Sequence, residues 1–175
     1  MANREALREL QNRLASRLQA ARGEGLSVSS WLAVETAGKN YLLPLAQSGE
    51  IFPWVGVQKV PYTRSWFMGV ANLRGDLLGV VDLAGLLGDA VARTDQSLAD
   101  ASVLALNAAL EVNVALLVDR LSGLRGVEAF AASEPPGAEA PAFYGTVYVD
   151  AAGVRWQELN LQLLAQHSDF LSISA

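Results

Sequence analysis

The one histidine of this chain, His167, is followed by Ser168 and Asp169, so the three residue types of a hydrolase triad stand side by side. In a triad these residues converge in space from separate elements, whereas neighbours in sequence point apart. The sequence contains no Gly-x-Ser-x-Gly motif and no glycine-rich phosphate loop. We therefore interpret His167 as a solvated surface residue, and the sequence predicts no nucleophilic catalysis.

Three aspartates, Asp82, Asp119 and Asp150, each follow an apolar segment that is typical of a strand. Two carboxylates brought together could perform general acid–base chemistry. An aspartate at the end of a strand more often accepts hydrogen bonds within a turn or at the start of a helix. We favour the turn or cap role for all three.

The composition restricts the remaining chemistry. The 175 residues include no cysteine and one histidine, which excludes disulfides, thiolate metal sites, a cysteine nucleophile and histidine-rich metal centres. Hydrophobic residues make up 51% and charged residues 18%, a balance typical of a folded chain. A formal net charge of −5 would repel nucleic-acid phosphates. The sequence thus predicts a protein that is not an enzyme and binds neither a cofactor, a metal nor nucleic acid.

One segment, residues 60–83, indicates a binding function. It begins as an aromatic loop and continues as two strands, 69–73 and 77–81, joined by the turn Arg74-Gly75-Asp76. A guanidinium held at the tip of such a hairpin suits bidentate binding of a carboxylate or carbonyl of a partner. The alternative, a turn arginine that faces only water, is the interpretation that spacing alone favours.

The elements that must position these residues are short strands with a period of two, which predict an all-β sandwich or barrel with two lobes. Pro44 places the second strand at an edge or a bulge. Short helices are expected at 83–88 and 161–166, a polar loop at 90–100 and a flexible connection at 131–141. Further strands are expected at 31–36, 41–45, 46–51, 102–107, 112–118, 124–128, 143–150 and 154–159.

The N-terminus carries the one long helical signal. Leu7, Leu10, Leu14 and Leu18 recur at three- and four-residue spacing, and Gly23 with Gly25 should end the helix. The stripe could pack on the protein's own body, bind a partner or lie on a membrane surface, and the first is favoured. We divide the chain into an amphipathic helical extension, residues 1–25, and a body of two β subdomains, residues 26–175. The body is expected to fold without residues 1–22.

Several motifs follow one another at suitable distances and together resemble the CheW-like family, the adaptors of bacterial chemosensory arrays. They are Glu50-Ile51, Gly69-Val70, Asn72-Leu73-Arg74-Gly75, Val80-Val81-Asp82-Leu83 and Val118-Asp119. The resemblance covers residues 31 to about 166. It implies two intertwined five-stranded SH3-like β-barrels around a shared core, with the N-terminal α-helix as an addition.

The resemblance also implies a function and partners. Family members are non-enzymatic scaffolds that bind the regulatory domain of a CheA-type histidine kinase and the cytoplasmic tip of a methyl-accepting chemoreceptor. Carried over by motif, the partner-binding residues would be Glu50, Ile51, Gly69, Arg74 and Val118, at or beneath those interfaces. Such a protein would be cytoplasmic, without direct membrane insertion, and recruited to the inner membrane through receptor arrays.

Within the family, the basic helix followed by Ser30-Trp31-Leu32-Ala33-Val34-Glu35 is most similar to the adaptor of the system that controls type IV pili and twitching motility. A flagellar-type chemotaxis coupling protein and a stand-alone β-barrel that binds a small molecule or peptide are the alternatives. The sequence departs from the family pattern at Gly79, where proline is usual, at Ser48, where an aliphatic residue is common, and at Asn160, where aspartate is frequent.

Overall fold

The computed structural model describes residues 2–23, 30–89 and 92–174, with side chains over 4–16, 30–89 and 92–174. The predicted stop at Gly25, the domain boundary after it, the Leu18 side chain and residues 90–91 of the predicted loop lie outside these residues. The helices are α1 (Ala2–Gly23), α2 (Leu83–Leu86), α3 (Asp95–Ala99), α4 (Leu161–Gln166) and α5 (Ser168–Leu171). The strands are β1 (Ser30–Thr36), β2 (Lys39–Pro44), β3 (Ser48–Pro53), β4 (Phe67–Leu73), β5 (Asp76–Asp82), β6 (Ser102–Leu106), β7 (Val114–Val118), β8 (Arg120–Gly126), β9 (Phe130–Glu134), β10 (Tyr144–Asp150) and β11 (Arg155–Leu159).

The strands form two sheets, one with six strands in the order β8-β1-β2-β11-β10-β9 and one with five in the order β3-β6-β7-β5-β4. The chain begins the six-stranded sheet with β1 and β2, builds the whole five-stranded sheet, and then returns to complete the first. Two pairings, β2 with β11 and β5 with β7, are parallel and join strands far apart in sequence. The predicted class, all-β with short helices and an N-terminal helix, is confirmed.

The six-stranded sheet contains one strand more than the resemblance implies. The additional strand is β9, which pairs with β10 from Glu134 opposite Val147 to Phe130 opposite Asp150. The predicted flexible connection at 131–141 is therefore wrong over residues 131–134. These four residues are exposed, so no alternation of apolar side chains marks the strand in the sequence.

The five-stranded sheet curls into a closed barrel. Its edge strands are β3 and β4, and the segment after β3 returns to β4 through Gln58. The Gln58 N–H donates to the Val70 carbonyl at 2.8 Å, and the Val70 N–H donates back to Gln58 at 2.9 Å. These two backbone hydrogen bonds join the segment that follows β3 to the outer edge of β4 and close the barrel there.

Alternation along the strands sorts the apolar side chains into three buried clusters. In β7, Leu116 and Val118 belong to a cluster shared by both sheets, while Ala115 and Leu117 belong to a second cluster inside the five-stranded barrel. β1 divides in the same way between the shared cluster and a third one, centred on Trp31 and Trp156 in the six-stranded sheet. A core between the two subdomains is thus built by strands that are buried on both faces.

Pro44 lies at a strand end instead of an edge. β2 is an inner strand between β1 and β11, and Pro44 is its last residue, opposite Trp31. The parallel pairing with β11 involves only Tyr41 and Leu42, so the missing N–H of Pro44 removes no hydrogen bond on that side. The prediction of an edge or a bulge is wrong, since the pairing of β1 with β2 also has no register shift. The next predicted strand, 46–51, begins only at Ser48 after one 3-10 turn.

The predicted polar loop at 90–100 contains a helix over its second half. Thr94 and Ser97 cap α3 reciprocally, each side chain accepting the backbone N–H of the other residue. The loop assignment is therefore wrong over 95–99. Small polar residues are typical of loops, but here two of them hold a helix start.

Arg93, just before α3, lies between the two sheets. Its guanidinium donates two hydrogen bonds to the Asp82 carboxylate, at 2.8 and 2.7 Å, and another to Asp119. The Asp119 carboxylate in turn accepts the Ala37 N–H at 2.9 Å, in the turn between β1 and β2. The side chains of Arg93 and Asp82 are only 7% and 6% exposed. These contacts, led by the hydrogen bonds to Asp82, raise the pKa of Arg93 above its ordinary value.

α1 packs on the protein's own body, as favoured from the sequence. It contacts β3 and β8, and Leu14 belongs to the cluster shared by both sheets. Gln11 Nε2 donates a buried hydrogen bond of 2.7 Å to Ser102 Oγ in β6. Leu10, by contrast, is an exposed member of the leucine stripe.

Deleting residues 1–25 should leave a body that still unfolds cooperatively, because every strand of both sheets follows residue 29. Losing the buried Leu14 side chain and the Gln11–Ser102 hydrogen bond should cost about 3 kcal/mol. For a domain of this size that lowers the midpoint of thermal unfolding by roughly 6 to 12 °C. Circular dichroism of the full chain and the truncated chain measures this shift, and a truncated chain without a cooperative transition would contradict the expectation.

Candidate partner-binding site

The hairpin formed by β4 and β5 presents Arg74 at its tip. Arg74 and Gly75 have positive φ angles of 54° and 88°, and Leu73 pairs with Asp76, so the connection is a two-residue turn that matches the twist of the strands. The Asn72 side chain accepts the Gly75 N–H at 2.9 Å. The predicted hairpin is confirmed, and its backbone fixes the direction in which Arg74 leaves the turn.

Arg74 pairs with Glu50, a second residue of the predicted site. Arg74 Nη1 lies 2.7 Å from Glu50 Oε1, and the two side chains are 71% and 29% exposed. Glu50 belongs to β3, so the ion pair spans the two edges of the sheet where the barrel closes. An exposed ion pair contributes between about 0 and 1 kcal/mol to stability. The guanidinium can therefore exchange Glu50 for another carboxylate at little cost to the fold.

Gly69 lies at a bulge near the start of β4, four residues before the Leu73–Asp76 pair that closes the Arg74 turn. Its φ angle is +142°, and a Cβ atom there would lie 2.3 Å from the Gln58 carbonyl oxygen. Only glycine adopts this backbone and permits this close approach without strain. Gly69 therefore has a structural role, because it allows the segment at Gln58 to pair with β4.

Ile51 and Val118 are buried in the shared cluster. Ile51 pairs with Leu104 and Val118 pairs with Ser102, so both side chains lie on the same face of β6. β5 runs from the Arg74 turn toward the end of β7 that carries Val118, about 20 Å over its seven residues. The structure thus brings Glu50 and Arg74 together and leaves Val118 at the opposite end of the barrel.

The surface around Arg74 has the features of a protein-binding site. Leu77, opposite Asn72 in the hairpin, is 64% exposed, and Asp76 is also exposed. An arginine next to an exposed aliphatic side chain on a rigid strand pair is a typical anchor of an interface. Chemically, the site offers charge-assisted hydrogen bonds to a carboxylate and a small apolar contact beside them.

Among the aspartates, Asp150 has the predicted turn role. Its Oδ1 accepts the N–H groups of Ala152 and Val154 at 2.9 and 3.0 Å. The hydrogen bond from Val154, and then that from the Trp156 indole, lower the pKa of the Asp150 carboxyl. The carboxylate therefore fastens the turn between β10 and β11.

Asp119 also has the turn role, through the Ala37 N–H, but for Asp82 the turn or cap prediction is wrong because Arg93 takes its carboxylate. Asp82 is the N-cap residue of α2, but its side chain accepts no hydrogen bond from the first turn of that helix.

Sequence reasoning missed Arg93. The sequence did contain a signal for a buried cation: acidic residues stand at the ends of two strongly apolar strands, at positions 82 and 119. A buried carboxylate requires a cation as its partner.

His167 begins a short helix. Its Nδ1 accepts the Asp169 N–H at 3.3 Å at the start of α5, and its ring packs edge-on against Phe143 with centroids 5.1 Å apart. The residue is partly buried, so the expected solvated histidine is corrected to a helix cap that rests on an aromatic ring. This geometry orients a helix start and aligns no nucleophile.

Comparison with known proteins identifies the family. The family model of the CheW-like domain matches residues 30–169. This chain belongs to the CheW-like domain family. The match begins at the first residue of β1 and ends within α5, so it includes both sheets and leaves α1 outside the CheW-like domain.

Two relatives illustrate the relationship. Protein PilI of Pseudomonas aeruginosa is 29% identical over 154 residues, which cover 85% of this chain and 83% of PilI. The crystal structure of scaffolding protein TtCheW from Thermoanaerobacter tengcongensis superposes with a TM-score of 0.67 at 19% identity, covering 82% of this chain and 96% of that chain. The second likeness shows that the CheW-like fold is common to both proteins.

The departures from the CheW-like pattern each have a local structural role here. Ser48 is fully buried and donates its hydroxyl to the Pro44 carbonyl at 2.9 Å. Asn160 caps α4 by accepting the Leu163 N–H at 3.1 Å. Gly79 leaves room for a ring, since a Cβ atom there would meet Phe67 at 2.9 Å. None of the three lies at the exposed tip of the hairpin.

Within residues 2–23, 30–89 and 92–174, no helix has both the length and the apolar character needed to cross a membrane.

Proposed function

We propose that this CheW-like protein is a non-enzymatic adaptor that couples a methyl-accepting chemoreceptor to a CheA-type histidine kinase. Family membership supports the scaffolding role. The identity to PilI, together with the basic helix before Ser30, supports a place in the chemosensory system that controls type IV pili and twitching motility. The protein would act in the cytoplasm and reach the inner membrane through receptor arrays.

The observation that carries this proposal is the ion pair of Arg74 and Glu50 at the tip of a rigid hairpin. An adaptor must present fixed recognition groups, because ordering a loose side chain on binding costs roughly 0.5 to 1.5 kcal/mol. Here the turn fixes the backbone of Arg74 and Glu50 holds its guanidinium on the outside of the barrel. A partner carboxylate would then replace Glu50, while exposed Leu77 supplies apolar contact.

The small-molecule alternative receives less support. Side chains of the second and third clusters occupy the interior faces of the two sheets, including Phe52, Trp54 and Met68 in one and Phe130 and Tyr148 in the other. A barrel that holds a ligand keeps its interior open. Binding on the outer surface, by contrast, needs no internal cavity.

Replacing Arg74 with alanine or glutamate tests the proposal. The alanine variant should bind the kinase regulatory domain or the receptor tip roughly thirtyfold more weakly, as expected for a hot-spot arginine. The glutamate variant should be worse, because it faces the partner with the wrong charge and places a second carboxylate beside Glu50. Stability should change by no more than about 0.5 kcal/mol for alanine.

Isothermal titration calorimetry measures the affinity of each variant for both partners, and circular dichroism on the same samples shows whether the variant is folded. Arg120→Ala is the matched control, since Arg120 is an equally exposed arginine, 3.5 Å from Glu35 on the other sheet. The control should bind both partners as the unsubstituted chain does. If Arg74→Ala binds both partners with unchanged affinity and a native spectrum, the hairpin tip is not the recognition site.

A further inference from the structure

A cleft of about 570 Å³ opens between two turns of the six-stranded sheet, the β1–β2 turn at Gly38 and the β10–β11 turn at Gly153. Its volume lies within the range of clefts that hold small molecules. Both glycines have free space around them, so the entrance is open at these two turns. The residues that line the cleft belong to the six-stranded sheet and its turns, whereas Arg74 belongs to the five-stranded sheet. The cleft is therefore separate from the candidate partner-binding site.

Two cations line this cleft side by side. Lys39 lies two residues before Tyr41 in β2, and Arg155 lies two residues before the register partner of Tyr41 in the parallel strand β11. Because side chains alternate along a strand, both cations are on the face of the sheet that carries Tyr41. Like charges at neighbouring positions of adjacent strands repel each other. This arrangement therefore favours an anion bound between the two cations.

Each cation already has one carboxylate partner, and these partners determine how much charge remains for a ligand. Lys39 Nζ lies 3.0 Å from Asp89 Oδ1, while Arg155 donates two hydrogen bonds to Glu134, one of them 3.1 Å long. Lys39 and Arg155 are both 60% exposed, and an exposed ion pair contributes between about 0 and 1 kcal/mol. Glu134, 47% exposed in the edge strand β9, can thus turn to solvent at little cost. Lys39 can stay with Asp89, because an ammonium group has three donors. The cleft then has the capacity to bind one anionic group.

The inner wall of the cleft combines aromatic rings with hydrogen-bonding groups. The hydroxyls of Tyr41 and Tyr144 are hydrogen-bonded to each other, and burial raises the pKa of both. Two hydroxyls that share one hydrogen bond leave one proton for a further acceptor. Gln157 Nε2 donates to the Gly145 and Glu158 carbonyls, both at 2.8 Å, which fixes its side chain in the wall. Such a wall suits a planar molecule that carries an acceptor.

We propose that this cleft is a binding site for a small organic anion, a planar molecule with one carboxylate or phosphate group. The anionic group replaces Glu134 on Arg155 and accepts a hydrogen bond from Lys39. The planar body packs against the rings of Tyr41 and Tyr144. Binding of this ligand does not depend on the adaptor function, and it leaves the Arg74 hairpin accessible.

Four probes separate the contribution of the charge from that of the planar body: phenyl phosphate, benzoate, inorganic phosphate and phenol. Each is titrated into the full chain at constant ionic strength, and amide chemical shifts report the binding. Phenyl phosphate, benzoate or both should shift the signals of Gly38, Gly153 and Gln157, and the tighter of the two identifies the preferred anionic group. Inorganic phosphate lacks the ring and phenol lacks the charge, so each should bind at least about tenfold more weakly.

Three variants test the assigned residues with the tighter probe. Arg155→Gln should weaken binding about ten- to a hundredfold, because charge-assisted hydrogen bonds are lost. Tyr144→Phe keeps the ring but removes a hydroxyl, and should weaken binding about fivefold. Arg120→Gln is the matched control, since it removes an exposed arginine of the same sheet that does not line this cleft. It should bind as the unsubstituted chain does.

Three results would overturn the proposal. The first is that neither phenyl phosphate nor benzoate shifts the signals of Gly38, Gly153 and Gln157. The second is equal affinity of Arg155→Gln and Arg120→Gln, because the probe would then respond only to the general surface charge. The third is binding of phenol as tight as that of phenyl phosphate and benzoate, which would show that the cleft does not recognise an anion.

Discussion

Arg93→Met should lower the free energy of unfolding by about 3 to 5 kcal/mol, the cost of removing one partner from a buried ion pair. The substitution keeps most of the side-chain volume but leaves the Asp82 carboxylate, 6% exposed, without its cation. It also detaches Asp119, whose carboxylate holds the turn of the neighbouring sheet through the Ala37 N–H. The midpoint of thermal unfolding should fall by roughly 6 to 20 °C.

Denaturant titration at pH 7 gives the free energy directly, and two further variants identify the cause. Arg120→Ala removes an exposed arginine from its 3.5 Å pair with Glu35 and should cost at most about 1 kcal/mol. Adding Asp82→Asn to Arg93→Met should restore part of the loss, because the buried negative charge is removed as well. If Arg93→Met lowers the free energy of unfolding no more than Arg120→Ala does, the ion pairs of Arg93 with Asp82 and Asp119 do not stabilise the packing of the two sheets.

Gly69→Asp should prevent the five-stranded barrel from closing and leave little or no folded protein. A Cβ atom at this position would lie 2.3 Å from the Gln58 carbonyl oxygen, and the backbone has a φ angle of +142°. Relief of the contact requires separation of Gln58 from Val70, which breaks the two hydrogen bonds that close the barrel. The aspartate also adds a buried charge, so the expected cost is more than about 4 kcal/mol.

Gly69→Ala separates the two causes, because it adds the Cβ atom without a charge and should still destabilise by about 2 kcal/mol or more. Gly137→Ala is the control, since Gly137 has free space around it and no positive φ angle. It should leave the unfolding transition where it is. A Gly69→Ala variant as stable as Gly137→Ala would show that β4 tolerates a side chain against Gln58.

Local patterns were sufficient to predict most strands and the Arg74 turn. The two-residue turn at Arg74 and Gly75 needs positive φ angles. Gly75, placed between two apolar segments, is therefore a local feature of the sequence that predicts this turn. Short apolar runs on either side of turn residues predicted β6, β7, β10 and β11, since such runs are also local features of the sequence. The family motifs identified Glu50 as a candidate site residue. The distance between Glu50 and Arg74 in the sequence did not predict that the two side chains form an ion pair.

What the sequence did not predict depends on distant partners. Arg93 lies in a small-residue segment and becomes structural only because Asp82 and Asp119 end strands that are adjacent in space. β9 has no apolar pattern because it is held by backbone hydrogen bonds to β10. The inner position of β2, and with it the place of Pro44, follows from a parallel pairing with β11, more than a hundred residues later. Period and propensity carry no information about such pairings.

The order in which the strands enter the two sheets has a consequence for synthesis on the ribosome. All strands of the five-stranded sheet are present once Val118 has been translated, whereas β1 and β2 wait for β8 to β11, which end at Leu159. At about 5 to 20 residues per second, the interval of roughly 40 residues lasts about 2 to 8 s. During that time the first hairpin has one apolar face uncovered and its β2 edge unpaired. The nascent chain is therefore most exposed to aggregation and chaperone binding at its beginning, over residues 30–44, after its middle has folded.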